Sequence, residues 1–464
     1  MITITIVDSV VSRINRESIS LLRPAFSFQK SFWKKEGFTK KAQDYDAFLI
    51  SQKGEFLTGF VPKIIQYCQE KNLEYEIENQ NDWEVSGPMP FLPNVIFRDD
   101  QKEAIIQACE QKRGVILHPT GSGKTVIICG IISTLPKVRI LFLCHTVDLI
   151  NQTVSEFKKF GLGPISQLGG GKKDISGRIV VSTIQSFSKL KPEEYCDLFY
   201  AVIVDECHHV GTSVGKVVPQ KSDSIYSKVL KTFLAPMKIG VTATLPSKEE
   251  GKFALEGLIG PVIANLTIEQ ATKLEILAEP KVKLIKVDYN TACKDLKRYN
   301  DLYDAQIVNN RRRNRKVIKE AKDLADKNKS SIIYVSLIEH GENLQDIAMR
   351  MGFPVTFVRG EVSGEERLRI KSDLEKKEIL TVISTVVWRE GVNIKSLNAI
   401  ILASGGKDSK SLIQSAGRGL RRDPETEKED ALIIDFADPV RYLAEHFVER
   451  LGVFIENKWA FVYE

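Results

Sequence analysis

The sequence predicts an α/β fold: two tandem domains, each built on a doubly wound parallel sheet, preceded by a small α+β domain. Short apolar runs, such as residues 200–205, alternate with helical patterns through residue 265. A second such alternation, which includes the run at residues 399–402, starts near residue 330. Runs this short and continuous are typical of strands buried on both faces. A chain of 464 residues has room for about three domains of ordinary size.

The first 90 residues are predicted to form the small domain, which has a mixed pattern. Alternating isoleucines over residues 2–6 indicate an edge strand, residues 46–50 indicate a second strand, and residues 61–68 have helical spacing. A proline-rich stretch over residues 87–93 then predicts a linker.

Aromatic and lysine residues are interleaved within this domain, over residues 26–35. Aromatic rings stack on bases while ammonium groups meet phosphates, so the segment could form a nucleic-acid surface with Lys30 and Lys34 as contacts. It could equally form an amphipathic hairpin whose apolar face packs on the core. The charge distribution favours nucleic acid, because residues 13–41 carry +6 and residues 42–90 carry −6.

A phosphate-binding loop is predicted between residues 114 and 126, where an apolar strand runs into a glycine-rich turn and then an apolar helix. Gly121 and Gly123 let backbone N–H groups approach phosphates, and Lys124 adds a positive charge. The hydroxyl of Thr125 is a candidate magnesium ligand. The usual motif has a glycine at the position of His118, and the strand and helix on either side compensate for this departure.

Two adjacent carboxylates, Asp205 and Glu206, lie at the carboxyl end of another apolar run of the same predicted sheet. Carboxyl ends of parallel strands meet at one edge, where ligands bind in open α/β sheets. Asp205 is therefore the expected metal partner, and Glu206 the expected base or water-positioning group.

Six segments in this order resemble the superfamily 2 DExH helicases and translocases. They are Gln101, residues 119–125, 205–208, 242–244, 390–391 and 414–421, with strand-contacting loops between them. The resemblance covers residues 95–440 and implies RecA-like domains at 91–270 and 271–464, after the small domain at 1–90. It implies an ATP hydrolase coupled to nucleic-acid translocation, in which ATP bridges the two sheets.

The resemblance also assigns residue roles. The implied catalytic residues are Lys124, Asp205, Glu206, Gln414, Arg418 and Arg421, the last two as arginine fingers. Implied ATP contacts are Phe97, Arg98, Gln101, Thr120, Gly121, Ser122, Gly123, Lys124, Thr125 and Gly391, with magnesium on Thr125 and Asp205. Implied coupling residues are His208, Thr242 and Thr244. Implied DNA contacts are His145, Thr146, Gly170, Thr183, Gln185, Ser336, Arg359, Gly360 and Thr385. Lys30 and Lys34, from the aromatic segment above, complete the predicted DNA contacts.

Three of these residues keep a second interpretation. Phe97 could be a core aromatic instead of a stacking partner for the base, His145 a packed histidine at a strand end, and Gly170 part of a simple turn. His209 has no role in the resemblance, and we interpret it as structural.

Within the superfamily the chain resembles the phage UvsW-type helicases, through its small first domain, residues 205–208, the glycines at 169–171 and residues 435–438. This implies an ATP- and magnesium-dependent DNA helicase or translocase, acting on branched or duplex DNA in phage replication, recombination and repair. Fork regression, branch migration and unwinding are the implied reactions. Two alternatives stay open: an RNA helicase of the same superfamily, and an ATP-switched motor subunit of a restriction-type assembly.

Composition excludes several other classes. Seven cysteines without a Cys-x-x-Cys pair indicate small core residues in a reducing compartment and argue against zinc. No apolar run approaches the ~20 residues that span a bilayer, and the N-terminus does not read as a signal peptide. We expect a monomer in the cytoplasm, that of the host cell if the gene belongs to a phage. A basic cluster over residues 311–316 is either a phosphate-facing surface or a solvated helix face.

Overall fold

The computed structural model describes residues 1–36, 39–80, 89–211, 217–385, 394, 396–406 and 430–462, with the backbone alone at 31–36, 39–42, 192 and 430. By backbone contacts the chain divides into two compact units. The first unit comprises Met1–His118 and Gly123–Asn265, and the second comprises Pro119–Ser122 and Leu266–Glu464. The domain boundaries at residues 90 and 270 stay predictions.

The N-terminal segment forms a small mixed sheet, a long hairpin and two helices. Its strands are β1 (Ile2–Ile6), β2 (Val11–Ile14), β3 (Ser27–Glu36), β4 (Thr39–Phe48), β5 (Glu55–Leu57) and β6 (Tyr75–Asn79), and its helices are α1 (Ile19–Ala25) and α2 (Val61–Glu70). The sheet order is β5-β2-β1-β6, with β6 parallel to β1. The prediction of an edge strand at residues 2–6 is wrong, because β1 pairs on both sides. Alternation of apolar and polar side chains indicates that one face of the strand is buried, but it does not indicate how many strands pair with it.

An eight-stranded sheet forms the rest of the first unit. Its strands are β7 (Arg113–Leu117), β8 (Ile140–Cys144), β9 (Ile165–Gly169), β10 (Lys172–Lys173), β11 (Ile179–Thr183), β12 (Ala201–Asp205), β13 (Met237–Thr242) and β14 (Val262–Asn265). The α-helices are α3 (Asp99–Gln111), α4 (Lys124–Ser133), α5 (Val147–Lys159), α6 (Ile184–Phe187), α7 (Ile225–Thr232) and α8 (Glu249–Leu258). The order β10-β9-β11-β8-β12-β13-β7-β14 is parallel throughout except at β10.

The N-terminal segment packs on α8, one of the helices of this sheet domain. Phe56, Phe60 and Ile64 belong to the same buried cluster as Leu141 and Val202 of the sheet. Gly59 lies against the backbone of α8, where an added Cβ would be 2.0 Å from the carbonyl oxygen of Glu256. The two parts therefore share one continuous core.

The hairpin β3–β4 contributes to that core through its first residues. Phe26 and Phe28 are buried, and the ring centroid of Phe28 lies 5.1 Å from that of Phe253 on α8. Lys30 forms an ion pair with Glu250 of the same helix. These contacts favour the amphipathic-hairpin interpretation for this end of the segment.

The second unit contains a seven-stranded parallel sheet in the order β17-β18-β16-β19-β20-β15-β21. Its strands are β15 (Glu279–Lys286), β16 (Ser331–Tyr334), β17 (Thr356–Val358), β18 (Thr381–Ser384), β19 (Ala399–Leu402), β20 (Asp430–Ala437) and β21 (Ala460–Val462). Its α-helices are α9 (Ile268–Lys273), α10 (Tyr299–Tyr303), α11 (Arg311–Ala325), α12 (Ile338–Arg350), α13 (Gly364–Glu375) and α14 (Arg441–Glu456). The predicted fold class, two parallel-sheet domains after a small α+β segment, is confirmed.

Among the described residues, the structure contains no helix with the length and apolar character needed to cross a membrane.

Candidate functional site

Three neighbouring strands bring the predicted chemistry to one edge of the first sheet. Asp205 ends β12 and pairs in register with Val241 of β13, and Thr242 of β13 pairs with Leu117 of β7. The N–H of His118, next along the chain, donates to the carbonyl oxygen of Thr242 at 3.0 Å. Residues 118, 205 and 242 are thus held at the carboxyl edge of the sheet, where ligands bind in this class of fold.

The glycine-rich turn after β7 leads into α4 through a left-handed residue. Gly123 is the residue before the helix, with φ 91°, and a Cβ there would lie 2.7 Å from Nε2 of Gln101. The left-handed φ favours glycine at this position, and any larger residue would also displace the Gln101 amide. Lys124 starts the helix, and its Nζ donates to the carbonyl oxygen of His118 at 3.2 Å. The lysine is therefore held beside the turn that is predicted to bind phosphate.

His118 replaces the glycine of the usual phosphate-loop motif and is accommodated as a buried neutral side chain. It is 2% exposed, and its Nδ1 lies 4.0 Å from Oδ2 of Asp100. Burial lowers the pKa of His118 to about 4. The negative charge of Asp100 opposes this shift, and the positive charges of Lys124 and Arg98 add to it. The imidazole is uncharged at neutral pH.

The start of α3 lies against the same turn. The backbone N–H of Arg98 donates to Oε1 of Gln101 at 3.2 Å, and the Arg98 guanidinium makes two bonds of 2.9 Å to Asp100. Gln101 is buried with its amide facing Gly123. Phe97 is also buried, in the apolar cluster of α3 and α4 near Gly130. This position favours the core interpretation of Phe97.

The carboxylates after β12 lie in a strained turn. Glu206 has φ 48°, a left-handed conformation that costs a residue other than glycine about 1–3 kcal/mol. Oδ1 of Asp205 accepts the N–H of Glu206 at 3.0 Å. The turn directs the Glu206 carboxylate toward the end of β13.

Side chains from two strands form a connected polar network at this point. Nδ1 of His208 lies 2.9 Å from Oγ1 of Thr242 and 3.3 Å from Oε2 of Glu206. Oγ1 of Thr242 lies 3.4 Å from the same carboxylate oxygen and 3.0 Å from the carbonyl oxygen of Thr244. The predicted base and the three predicted coupling residues therefore lie within one set of contacts.

His209 extends this network toward β8, a connection that the sequence interpretation missed. Its ring stacks on His145 with centroids 4.5 Å apart and planes inclined by 15°, and its centroid lies 4.1 Å from that of His208. The sequence does place histidines at the ends of two predicted strands, and such histidines meet if the strands are neighbours, as β8 and β12 are. The sequence does not show which strands are neighbours, so the contact could not be predicted.

The predicted strand-binding residues of the first unit follow neighbouring strands. Thr146 and Thr183 cap α5 and α6, their hydroxyls accepting the N–H groups of Leu149 at 3.4 Å and Ser186 at 3.1 Å. Gln185 lies in α6. Gly170 joins β9 to β10 with φ 60°, a turn that favours glycine. Both threonine hydroxyls already accept a hydrogen bond within the protein.

The second unit has a matching arrangement. Ser336, Arg359 and Thr385 follow β16, β17 and β18, which are neighbours in the sheet. Arg359 forms ion pairs with Glu342 at 2.8 Å and Glu361 at 3.2 Å. A Cβ at Gly360 would meet no atom of the described residues within 4 Å, which leaves room among them for another backbone to approach.

Five predicted site residues lie outside what the structure describes: Gln414, Arg418, Arg421 and Gly391 in full, and the side chain of Lys34.

The chain just before residues 407–429 is held by two buried arginines. Arg313 of α11 pairs with Asp438 at 2.9 Å and donates to the carbonyl oxygen of Ala403 at 2.8 Å. Arg450 of α14 pairs with Asp435 at 2.9 Å and donates to the carbonyl oxygen of Gly406 at 2.7 Å. These contacts give a structural role to both aspartates of the segment 435–438.

The residues predicted to hold magnesium have suitable chemistry. Thr125 offers a hydroxyl and Asp205 a carboxylate, and Mg²⁺ prefers oxygen ligands, with one or two carboxylates supplemented by nucleotide phosphates and water. Within the described residues no group of three or more His, Cys, Asp or Glu side chains is arranged to hold a metal.

Comparison with known proteins gives two family matches. The model described as "Type III restriction enzyme, res subunit" matches residues 94–247, and the model described as "Helicase conserved C-terminal domain" matches residues 313–423. The first match contains the site built above, and the second includes residues 414–421.

The curated relatives that match most of the chain include the following two. The DNA 3'-5' translocase XPB2 of Sulfurisphaera tokodaii is 27% identical over 406 residues, which cover 80% of this chain and 87% of the relative. The ATP-dependent DNA helicase uvsW of Enterobacteria phage T4 is 24% identical over 393 residues, covering 78% and 76%. A solved structure of S. cerevisiae Dbp5 bound to RNA and ADP BeF3 has a TM-score of 0.53 at 15% identity, covering 79% of this chain and 94% of that chain, and shows the shared fold.

Proposed function

We propose that this chain, which is a superfamily 2 helicase and hydrolyses ATP, uses that hydrolysis to move on branched or duplex DNA, with fork regression, branch migration or unwinding as the result. The observation that carries the proposal is the chain of contacts from Glu206 through His208 and His209 to His145. Such a chain joins a hydrolytic carboxylate to a loop that is predicted to contact a nucleic-acid strand. Both curated relatives are named as acting on DNA.

In this proposal Gln101 binds the adenine, and the turn at 120–123 with Lys124 holds the phosphates. Magnesium, held by Thr125 and Asp205, would neutralise phosphate charge. Glu206 accepts a hydrogen bond from the attacking water and orients it. The left-handed turn and the contact with His208 fix the position of that carboxylate. Arg418 and Arg421 would stabilise charge on the transferred phosphoryl group.

Coupling is proposed to pass through the network at Thr242. A change in the charge or position of Glu206 alters its contacts with His208 and Thr242, and the ring of His209 carries that change to His145. Loops at 145–146, 170 and 183–185 would then change their contacts with DNA phosphates. Because phosphates carry no sequence information, DNA binding should be independent of sequence and weaken as salt rises.

The central test removes the hydrolytic groups. Lys124→Ala and Glu206→Gln should each abolish ATP hydrolysis while leaving DNA binding measurable by fluorescence anisotropy. Arg418→Ala should lower turnover strongly with little loss of ATP affinity, since a finger that acts on the transition state contributes about 10³–10⁵ in rate. Wild-type turnover in the Lys124 or Glu206 variant would remove the assignment.

A second test addresses coupling. His209→Ala should reduce the ratio of DNA-stimulated to basal ATPase activity by about 5- to 150-fold, the usual range for coupling between two sites. His209→Phe is the matched control, because it keeps a ring that can stack on His145. Equal stimulation in the alanine variant and the wild type would exclude the relay.

The substrate is tested by comparing ATPase stimulation and unwinding across four-way junctions, forks, linear duplex, single strands and RNA. Strongest stimulation by branched DNA supports the proposal. Strongest stimulation by RNA would instead indicate an RNA helicase, and the absence of stimulation by any of them would favour an ATP-switched subunit of a larger assembly.

A further inference from the structure

The basic run at residues 311–316 divides into two parts when α11 folds. Arg313 turns inward and is buried against Asp438, as described above. Arg311, Arg315 and Lys319 are exposed and stand at intervals of four residues, so they share one face of the helix. The inward arginine serves the fold, and the outward cations remain to be explained.

The outward cations border a cleft between α11 and α12. The cleft has a volume of about 410 Å³ and is lined by Arg311, Arg315, Lys316, Lys319, Asp346, Ile347, Arg350 and Met351. Among the described residues that line it, five are cationic and one is a carboxylate, Asp346, which already pairs with Arg350 at 3.0 Å. Lys316 also pairs with Asp288 at 3.3 Å, so the positive charge that no described carboxylate offsets comes from Arg311, Arg315 and Lys319 of α11.

This arrangement differs from an ordinary solvated helix face, on which opposite charges alternate. Like charges four residues apart destabilise a helix. Within the described part of the chain, Arg311, Arg315 and Lys319 make no ion pair that would offset this repulsion, whereas Lys322 on the same helix pairs with Asp326 at 3.0 Å. An external anion would remove the repulsion.

We propose that this cleft binds the phosphate backbone of a DNA duplex, outside the loops that grip the translocated strand. From residue 311 to residue 319 the helix rises by roughly 12 Å, at about 1.5 Å per residue. One DNA strand advances about 3.4 Å per nucleotide along the duplex axis, so this length faces three to four phosphates. The surface would hold a duplex arm of the substrate, and this assignment rests on the proposed function for the choice of DNA.

The experiment compares a variant that lacks three cations of the cleft with a control variant that lacks three cations elsewhere on the second unit. The test variant is Arg311→Gln with Arg315→Gln and Lys319→Gln, and the control is Lys294→Gln with Lys327→Gln and Lys329→Gln, also exposed cations of the second unit. Affinity for a labelled DNA duplex is measured by anisotropy across a series of salt concentrations. Thermal unfolding of each protein verifies that it is folded.

We expect the slope of log affinity against log salt to fall by about 3 in the test variant, close to one per lost phosphate contact, and equally for different DNA sequences. The control should keep the wild-type slope. Equal slopes for the test and control variants would overturn the proposal. So would a loss of affinity for polyglutamate with unchanged affinity for DNA, because that result would assign the cleft to an acidic protein.

These outcomes are separate from those that test the proposed function. If the wild-type chain binds duplex DNA and DNA stimulates its ATPase activity, an unchanged test variant overturns the cleft alone. If the wild-type chain does not bind duplex DNA, the choice of DNA fails for the whole protein.

Discussion

Two places in the molecule bury cationic side chains in different ways. Beneath the N-terminal segment, Arg113 donates to the carbonyl oxygen of Ser9 at 2.6 Å, and Lys238 donates to the same oxygen at 3.2 Å. In the second unit, Arg313 and Arg450 each pair with a buried aspartate. Among the described contacts, the first two cations meet carbonyl oxygens and no carboxylate, while the second two are neutralised by one carboxylate each.

The two kinds of acceptor have different effects on the pKa of the buried cation, and the contacts join different elements. Carbonyl acceptors leave the charge of Lys238 poorly compensated, and burial therefore lowers its pKa well below the ordinary value. Burial lowers the pKa of Arg113 to about 10, partly opposed by Asp8. Both donors join the N-terminal segment to the sheet. The aspartate pairs of the second unit instead join β20 to α14 and the residue after β20 to α11, and they hold the chain at residues 403 and 406.

The largest effect is expected from deleting residues 1–80. The deletion would remove the side chains that cover Phe253 of α8, including Phe28 and Phe60, and each large apolar side chain contributes about 1.5–3 kcal/mol on burial. The loss of several such contacts is comparable with the total stability of a typical protein, about 5–15 kcal/mol. The truncated chain should therefore aggregate or unfold without a cooperative transition in circular dichroism. A soluble truncated protein with wild-type ATPase activity would show that the contacts of Arg113 and Lys238 with the carbonyl oxygen of Ser9 are dispensable.

Asp435→Asn should have the next largest effect. It keeps the shape of the side chain but leaves the buried Arg450 without its counter-ion, which costs about 3–5 kcal/mol when one partner of a buried pair is removed. Denaturant unfolding measures the loss. A change below 1 kcal/mol, at the level of a surface pair, would mean that the two kinds of buried cation are equivalent.

Lys238→Met should change the pH dependence of stability. The folded-state pKa of Lys238 lies below its unfolded value, so the unfolded chain binds the extra proton, and stability rises with pH up to the ordinary lysine pKa near 10.5. The wild type should gain up to about 1.4 kcal/mol per pH unit from this residue. Unfolding experiments at neutral and alkaline pH should show a smaller gain in the variant. Equal gains would mean that Lys238 stays charged in the fold.

The smallest effect is expected at an exposed pair. Glu269 contacts Lys273 at 2.9 Å and Lys458 at 3.2 Å on the surface of the second unit. Glu269→Gln should lower the free energy of unfolding far less than Asp435→Asn does, and the loss should shrink as salt is added. This variant calibrates the Asp435 measurement, since both remove one carboxylate from a pair with a basic side chain.

Most buried strands could be predicted from the sequence because parallel strands covered on both faces are short continuous apolar runs. The predicted run at residues 200–205 became β12 (Ala201–Asp205), and the run at 399–402 became β19 with the same ends. Strand order was not predictable. It depends on contacts between distant residues, and so the interior position of β1 and the contact between His145 and His209 were missed.

The basic cluster at 311–316 shows the same limit. Composition identified the cluster, and only the fold separates Arg313 from Arg311 and Arg315, because the partner of Arg313 is 125 residues away at Asp438. The aromatic segment at 26–35 is similar. Its sequence allowed two interpretations, and the packing of Phe28 on Phe253 favours one of them for the first half of the segment.

The left-handed turn at Glu206 has a consequence for anyone who evolves this protein toward heat resistance. Glycine or asparagine would adopt φ 48° at lower cost, so selection for thermal tolerance alone should enrich those residues at position 206. With the role proposed above for Glu206, such variants would be more stable and would not hydrolyse ATP. A screen that scores melting temperature without scoring turnover would then lose the carboxylate that the left-handed turn positions.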